Sequence, residues 1–291
     1  MGKFGVYGLE EIEQMHKEIL WPTVRIKAKR AWGSGTVIYS GKDAKGKYHT
    51  YVVTCHHVVA ENIKIETKFD QRVGFEIKKM STIPVEVESF YYENLSQCKG
   101  SAGSCKADIL IFDEDADIVL LELKRGDKNK HVASFLPKED IDTVHVFDKV
   151  WAAGAAMAHE PIVTEGIINF LNEPMEYGIE YWMSNAQIIF GNSGGAIFRY
   201  SHKSGKFEWI GIPARIAVNI SGFSTDAITH MGFFVPITKV YQLIDKFYYQ
   251  FIYDKAVTYE ECEEERKANK KRLEELLVTR FGGKPVPSGD K

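Results

Sequence analysis

Short runs of alternating apolar and polar residues fill the chain between residues 22 and 236. Alternation with a period of two predicts β-strands that bury one face, and turn residues separate the runs. So many strands with so few helices between them exclude a doubly wound parallel sheet and predict an all-β barrel or a pair of barrels. Two six-stranded barrels would use most of the fourteen candidates, which are TVRIKA, GSGTVIYS, HTYVVTC, NIKIETKF, VGFEIKKM, VEVESFYY, ADILIFD, DIVLLEL, KVWAAG, GIINFL, IEYWMS, GGAIFRY, FEWIGI and HMGFFVPI.

Helical spacing of apolar residues occurs at the two ends of the chain. Residues 8–20 predict a short amphipathic helix that Pro22 ends. After Pro236, one apolar face predicts a C-terminal helix that packs on a barrel. Its members are Val240, Leu243, Ile244, Phe247 and Phe251.

A second helical segment at the C-terminus begins with acidic residues and continues with basic ones, the order that the helix dipole favours. Its narrow apolar stripe consists of Leu273, Leu276, Leu277 and Phe281. This helix either lies solvated on its own domain or provides a contact for a partner or an oligomer. We predict that residues 282–291 are disordered.

These patterns predict four segments. They are an N-terminal helix at residues 1–21, a β domain at 22–238, C-terminal helices at 239–281 and the tail at 282–291. The β domain would divide into a first barrel at about 22–125 and a second at about 140–238.

Composition narrows the expected partners and location. A chain of 291 residues with 44% hydrophobic residues can bury a large core, and its formal net charge of -3 gives no preference for nucleic acid or membranes. No apolar run approaches the roughly 18 residues of a membrane span, and the N-terminus is too acidic for a signal peptide. We therefore expect a cytoplasmic protein that has neither a nucleic-acid nor a membrane partner.

A cytoplasmic location also predicts that all four cysteines are free thiols. Cys98 and Cys105 require a separate remark because CKGSAGSC would close a short loop between them. Such a loop could hold a disulfide or half of a metal site, although no further metal ligands are visible nearby.

Three stretches carry side chains suited to nucleophilic catalysis. VVTCHHVVA places His56 and His57 at the end of a strand, and DEDADIVLLEL leads into a strand through three aspartates. GNSGG places Ser193 in a turn whose glycines let backbone N–H groups converge. The pattern G-x-S-x-G also occurs in α/β-hydrolases, but those enzymes need the serine first and a helix after it. Here the order is His, Asp, Ser, and a β-hairpin is predicted to follow Ser193.

Several motifs in the same order resemble trypsin-like serine proteases of the HtrA kind. WGSGTVI resembles the strand that opens the first barrel of these proteases, VVTCHHVV resembles the strand before the catalytic histidine, and DADIVLLEL resembles the strand after the catalytic aspartate. VWAAGAAMAHEPIVTEGII, SNAQIIFGNSGGAIF, WIGI and MGFFVPI are similar to successive parts of the second barrel. The resemblance covers roughly residues 22–238 and implies a chymotrypsin-like double barrel.

The resemblance also implies roles for individual residues. Ser193 would be the nucleophile, His57 the general base and Asp117 the acid that orients the base. The backbone N–H groups of Gly191 and Ser193 would form the oxyanion hole. The substrate-binding pocket would have Gln187 as its floor, and its wall would consist of Ala214, Arg215 and Ile216. Without a carboxylate at the floor we expect no preference for Lys or Arg, and the size of Ile216 suggests a small or medium apolar residue before the cleaved bond.

Neighbouring residues offer alternatives to these assignments. A shift of the turn by one residue would make His56 the base, and Asp113 or Asp115 could replace Asp117 because they share its parity. Cys55 also lies near the site in sequence, but a small core residue is usual there, so we expect it to pack rather than react.

The sequence therefore predicts a serine endopeptidase that acts on protein or peptide substrates and needs no cofactor or metal. The alternative is a non-catalytic binding or scaffold protein on the same fold. Only about 50 residues follow the β domain and they are predicted to be helical, so we expect no PDZ domain after it.

Overall fold

A computed structural model of the protein describes residues 7–70, 75–95, 97–174, 178–221 and 224–281. Within these ranges the molecule is mainly β-sheet, with helices near both ends. None of the helices in the described part combines the length and the apolar character that a membrane crossing needs.

The first barrel is a closed ring of six antiparallel strands in the order β1-β2-β3-β8-β7-β6. Buried aliphatic residues from these strands fill the ring, among them Val24, Val52 and Leu120. The strands are β1 at Thr23–Lys27, β2 at Trp32–Lys42, β3 at Tyr48–Thr54, β6 at Val85–Glu93, β7 at Gln97–Asp113 and β8 at Ile118–Leu123.

Two strands between β3 and β6 do not join this ring. β4 (Ile63–Asp70) and β5 (Phe75–Thr82) pair only with each other, as a separate two-stranded sheet. Their apolar side chains are largely exposed, among them Ile65, Phe69 and Met80. The alternation of apolar and polar residues predicts both strands, but it does not predict that they lie outside the barrel.

The second barrel contains six strands and one short addition. β13 pairs with both β10 and β14, which closes the order β10-β11-β12-β15-β14-β13 into a ring, and β9 adds to β14 in parallel. The strands are β9 at Ser134–Phe135, β10 at Lys149–Gly154, β11 at Ile162–Pro174, β12 at Glu180–Ser184, β13 at Ala196–Ser201, β14 at Lys206–Ser221 and β15 at Ser224–Pro236.

All fourteen predicted strands are present, and the expected pair of barrels is confirmed. The predicted loop between Cys98 and Cys105 is wrong, because both residues lie in the extended strand β7. Cys98 lies opposite Tyr92 and Cys105 lies opposite Val87, so the backbone separates the two thiols along one strand. The cysteines are free, as expected for two residues this far apart in an extended chain.

Helices near both ends pack on the barrels. α1 (Leu9–Met15) continues into a π-helical turn at His16–Leu20, which buries Ile19. α2 (His56–Val59) is a single turn after β3, and α3 (Ile237–Lys246) follows β15. Val240, Leu243 and Ile244 are buried on α3, as predicted, but the helix ends at Lys246, so Phe247 and Phe251 of the predicted face lie outside it.

The last helix, α4 (Tyr259–Phe281), is attached mainly through its first turns. The Arg266 guanidinium lies 4.2 Å from the centre of the Tyr249 ring, and Cys262 is buried. Leu273 and Leu276, from the predicted apolar stripe, are about half exposed. The side chains of Leu277 and Phe281, and the whole of residues 282–291, lie outside the described part of the chain.

Candidate active site

Strand pairing in the first barrel brings His57 and Asp117 together. β3 pairs with β8, so the turn after β3 lies beside the turn before β8. Asp117 Oδ2 lies 2.7 Å from His57 Nδ1, and Asp117 Oδ1 accepts a hydrogen bond of 2.9 Å from the His57 backbone N–H. The carboxylate is buried, whereas the imidazole is about half exposed. Asp117 thus holds His57 at two points and leaves the other side of the ring accessible.

The neighbouring histidine and aspartates have different partners. The His56 ring stacks on Phe112 with a centroid distance of 5.0 Å, although its backbone N–H donates to the Asp117 carbonyl. Asp113 accepts a hydrogen bond from the Ala116 N–H and so shapes the turn. Asp115 is exposed. Of the alternatives considered from the sequence, only the pairing of His57 with Asp117 joins a ring nitrogen to a buried carboxylate.

Ser193 lies in the turn between β12 and β13, at the junction of the two barrels. Its carbonyl accepts a hydrogen bond of 2.8 Å from Ser34 N–H of the first barrel, and the next N–H, that of Gly194, donates to the Pro213 carbonyl. The Ser193 hydroxyl lies 3.5 Å from the Ala214 carbonyl, its hydrogen-bond partner in this structure.

The backbone around Ser193 has two N–H groups without a partner among the described residues. Neither Gly191 N–H nor Ser193 N–H donates a hydrogen bond to any described residue, while the N–H groups of Asn192, Gly194 and Gly195 all do. Asn192 Oδ1 also accepts a bond from the Ile189 N–H, which tightens the turn. Two free donors on either side of Asn192, beside a serine hydroxyl, are what stabilisation of an oxyanion requires.

Glycine is required at position 191 for two reasons. Its φ is +96°, which L side chains rarely adopt, and an added Cβ would lie 2.7 Å from Met157 N and 2.8 Å from Ala155 O. Met157 N–H in turn donates a 2.8 Å bond to the Phe190 carbonyl. This bond orients the peptide group whose N–H belongs to Gly191.

The residues expected to form the substrate pocket are only partly brought together. Ala214 and Arg215 line a cavity of about 640 Å³ together with His57 and Asp117. Ile216 is half-buried and pairs with Gly232 on the next strand. Gln187 is exposed, and its carbonyl accepts a bond from Thr164. Its assignment as a pocket floor stays a prediction.

Cys55 is fully buried directly behind the histidine and aspartate. Burial, followed by the charge of Asp117, raises the pKa of the Cys55 thiol well above its usual value, and the thiol contacts the Pro213 carbonyl at 3.4 Å. The ligand atoms of Cys55, His57 and Asp117 lie within 4.8 Å of one another, a spacing that a metal ion could use. A thiol that stays protonated is a poor metal ligand and a poor nucleophile, so packing accounts for it.

Sequence reasoning missed two contributors to this site. Ser34 holds the nucleophile loop from the first barrel, and the turn Ala155–Met157 holds it from the second. Ser34 belongs to the GSG triplet that was noted only as a motif, whereas no local signal marks the turn.

Comparison with known proteins shows the family of this chain. Residues 33–207 match the model of the trypsin-like peptidase domain, which is well over half of the chain. The protein belongs to the trypsin-like peptidase family. The resemblance noted in the sequence is thereby confirmed at the level of the family.

Solved structures with the same fold include the HtrA-type protease AlgW with tripeptide, at a TM-score of 0.53 and 18% sequence identity over 81% of this chain and 62% of that one. The serine endoprotease from Yersinia pestis matches with a TM-score of 0.51 and 18% identity, over 81% of this chain and 65% of that one. This chain therefore spans less than two thirds of the length of either protein. At this identity the likeness shows a shared fold.

Proposed function

We propose that the protein hydrolyses peptide bonds of protein or peptide substrates, with Ser193 as the nucleophile, His57 as the general base and Asp117 as the orienting acid. The observation that carries the proposal is the two-point hold of Asp117 on His57, through Nδ1 at 2.7 Å and through the backbone N–H at 2.9 Å. Because Nδ1–H is directed at a carboxylate, Nε2 is left as the basic nitrogen.

The first half of the reaction forms an acyl-enzyme. The Ser193 hydroxyl turns from the Ala214 carbonyl towards His57, which removes its proton as the oxygen attacks the substrate carbonyl. Catalytic hydrogen bonds are often loose before substrate binds, so the present partner of the hydroxyl does not oppose this step. The developing oxyanion accepts bonds from Gly191 N–H and Ser193 N–H, and the imidazolium then protonates the leaving amine.

The second half repeats the chemistry with water. His57 removes a proton from the water as its oxygen attacks the ester carbonyl, and it returns that proton to Ser193 when the acid leaves. Asp117 holds the ring and stabilises the imidazolium in both halves. The two backbone donors and the ion pair between Asp117 and the His57 imidazolium would supply most of the rate enhancement. Loss of such groups in other serine proteases lowers the rate by amounts that agree with this share.

The substrate would lie across the cavity next to Ala214 and Arg215. Gln187 carries no negative charge, so a preference for Lys or Arg before the cleaved bond is not expected. We propose a small or medium apolar residue before the cleaved bond because the Ile216 side chain would narrow the entrance of the pocket. Cleavage of a peptide library, read by mass spectrometry, would contradict this assignment if Lys or Arg dominated the cleavage sites.

A fluorophosphonate probe tests the catalytic proposal directly, because it reacts only with an activated serine. Wild type should be labelled at Ser193, as shown by mass spectrometry of the modified peptide, and Ser193→Ala should not be labelled. Ser101→Ala is the matched control because Ser101 is an exposed serine on β7. It should be labelled at the wild-type rate.

The same labelling experiment distinguishes an active protease from a non-catalytic scaffold on this fold. If wild type stays unlabelled under conditions in which a known serine protease reacts, the proposed catalytic role is wrong and a binding function on this fold becomes the better account.

A further inference from the structure

Ser34, at the start of β2, is the hydrogen-bonding link between the two barrels and the nucleophile loop. The residue is fully buried. Its hydroxyl accepts a 2.7 Å bond from Ala155 N–H and donates a 2.6 Å bond to the Gly191 carbonyl. One side-chain oxygen of the first barrel thus joins two backbone groups of the second.

The backbone of the same residue makes two further bonds. Ser34 N–H donates to the Ser193 carbonyl at 2.8 Å, and the Ser34 carbonyl accepts from the Thr54 hydroxyl at 2.7 Å. The backbone bond would form with any residue other than proline at this position, but only a hydroxyl can make the other pair of contacts. The identity of the side chain therefore matters for Gly191 and Ala155.

Hydrogen bonds to the two peptide planes that flank Gly191 set the orientation of the Gly191 N–H. The Met157 N–H holds the peptide plane before Gly191 through the Phe190 carbonyl, and the Ser34 hydroxyl holds the plane after it through the Gly191 carbonyl. Glycine is the most permissive hinge between two peptide planes, so both planes need an external bond to stay in place. Through Ala155, Ser34 also anchors the turn that carries Met157.

We propose that the Ser34 hydroxyl is a positioning group for the oxyanion hole. It keeps Gly191 N–H aimed at the substrate carbonyl without touching the substrate. This inference rests on the proposed roles of Gly191 and Ser193.

The GSG triplet follows from the same packing. A Cβ at Gly33 would lie 2.7 Å from the Val58 side chain, and one at Gly35 would lie 2.8 Å from that of Val52. Both glycines let β2 approach its neighbours closely. That approach brings Ser34 within bonding distance of the nucleophile loop.

Ser34→Ala tests the proposal against Thr36→Val. Thr36 is the next residue on the same face of β2, is equally buried, and has a hydroxyl without a partner among the described residues. Both substitutions remove one buried hydroxyl from one strand, but only the first removes bonds to the nucleophile loop. Circular dichroism and thermal unfolding confirm that each variant is folded.

The measured quantities are the inactivation rate constant and the half-saturating concentration for a fluorophosphonate, whose phosphoryl oxygen occupies the oxyanion site. We expect Ser34→Ala to lower the rate constant by about 10- to 100-fold, somewhat less than complete loss of an oxyanion donor. The half-saturating concentration should change by less than about twofold, because binding before reaction does not use the hole. The low-field NMR signal of the His57 Nδ1 proton should be unchanged, since Asp117 still holds the ring.

A rate constant for Ser34→Ala within about twofold of wild type and of Thr36→Val would overturn the proposal, as would an equal loss in both variants. If Ser34→Ala does not fold, Ser34→Cys keeps a side chain at this position but replaces the hydroxyl that bonds Gly191 and Ala155 with a thiol, a weak donor and acceptor. It should slow labelling about threefold to tenfold, and an unchanged rate would overturn the proposal. Wild type that is not labelled at all contradicts the proposed catalysis instead, so the two failures are distinguishable.

Discussion

Gly191→Ala is the substitution whose consequences follow most directly from the site geometry. The new Cβ would lie 2.7 Å from Met157 N, 2.8 Å from Ala155 O and 3.2 Å from Ala156 C. All three are backbone atoms, which cannot swing away as a flexible side chain could. The loop must shift, and the N–H at position 191 moves with it.

Two terms set the magnitude of the effect. The positive φ of +96° costs an alanine at least about 1–2 kcal/mol of folding free energy. Displacement of one oxyanion donor costs about 3–4 kcal/mol of transition-state stabilisation, a fall in kcat of ~10²–10³. Gly205→Ala isolates the first term, because Gly205 has a φ of +67° and nothing within 4 Å of its added Cβ.

The assay compares hydrolysis of a fluorogenic peptide, taken from the library profile, with chemical unfolding. Gly191→Ala should lose both activity and stability, whereas Gly205→Ala should lose about 1 kcal/mol of stability and keep wild-type kcat. A Gly191→Ala variant that retains kcat within about threefold of wild type would refute the reasoning, because the displaced N–H could then not be an oxyanion donor.

Three further outcomes follow from the structure. Asp117→Asn should lower kcat by ~10⁴ while circular dichroism stays unchanged, since the amide cannot hold the imidazole in the required tautomer. Burial raises the pKa of Glu88, but hydrogen bonds from Lys27 and Arg25 outweigh it and hold the pKa below its ordinary value of 4.5. The stabilisation by ionised Glu88 is therefore present above pH 4.5 and is lost as the pH falls through the lowered pKa. In urea unfolding, Glu88→Gln should lose less stability in acid than the wild type does. Thr36→Val should raise the free energy of unfolding by about 1 kcal/mol, measured in urea, because it removes a buried hydroxyl that has no partner among the described residues.

Local patterns were sufficient for the strands and for the residues with the required chemistry. A strand reveals itself by alternation within a few residues, and all fourteen were found in this way. The order of His57, Asp117 and Ser193 is also a property of the linear chain. Each of these signals is complete within one short segment, so no knowledge of distant contacts is needed.

Tertiary structure decided which strands close each barrel and which residues hold the candidate site in place. Nothing local distinguishes β4 and β5, which leave the first barrel, from the strands that close it. Strand β9 was missed because two residues are too few to show a period.

The same reason explains what was missed in the candidate site. Ser34 acts on Gly191 across 157 positions of sequence. A hydrogen bond of this kind exists only when two barrels have closed and met, so the sequence determined which groups could react, and the packing of the barrels decided which groups hold them in place.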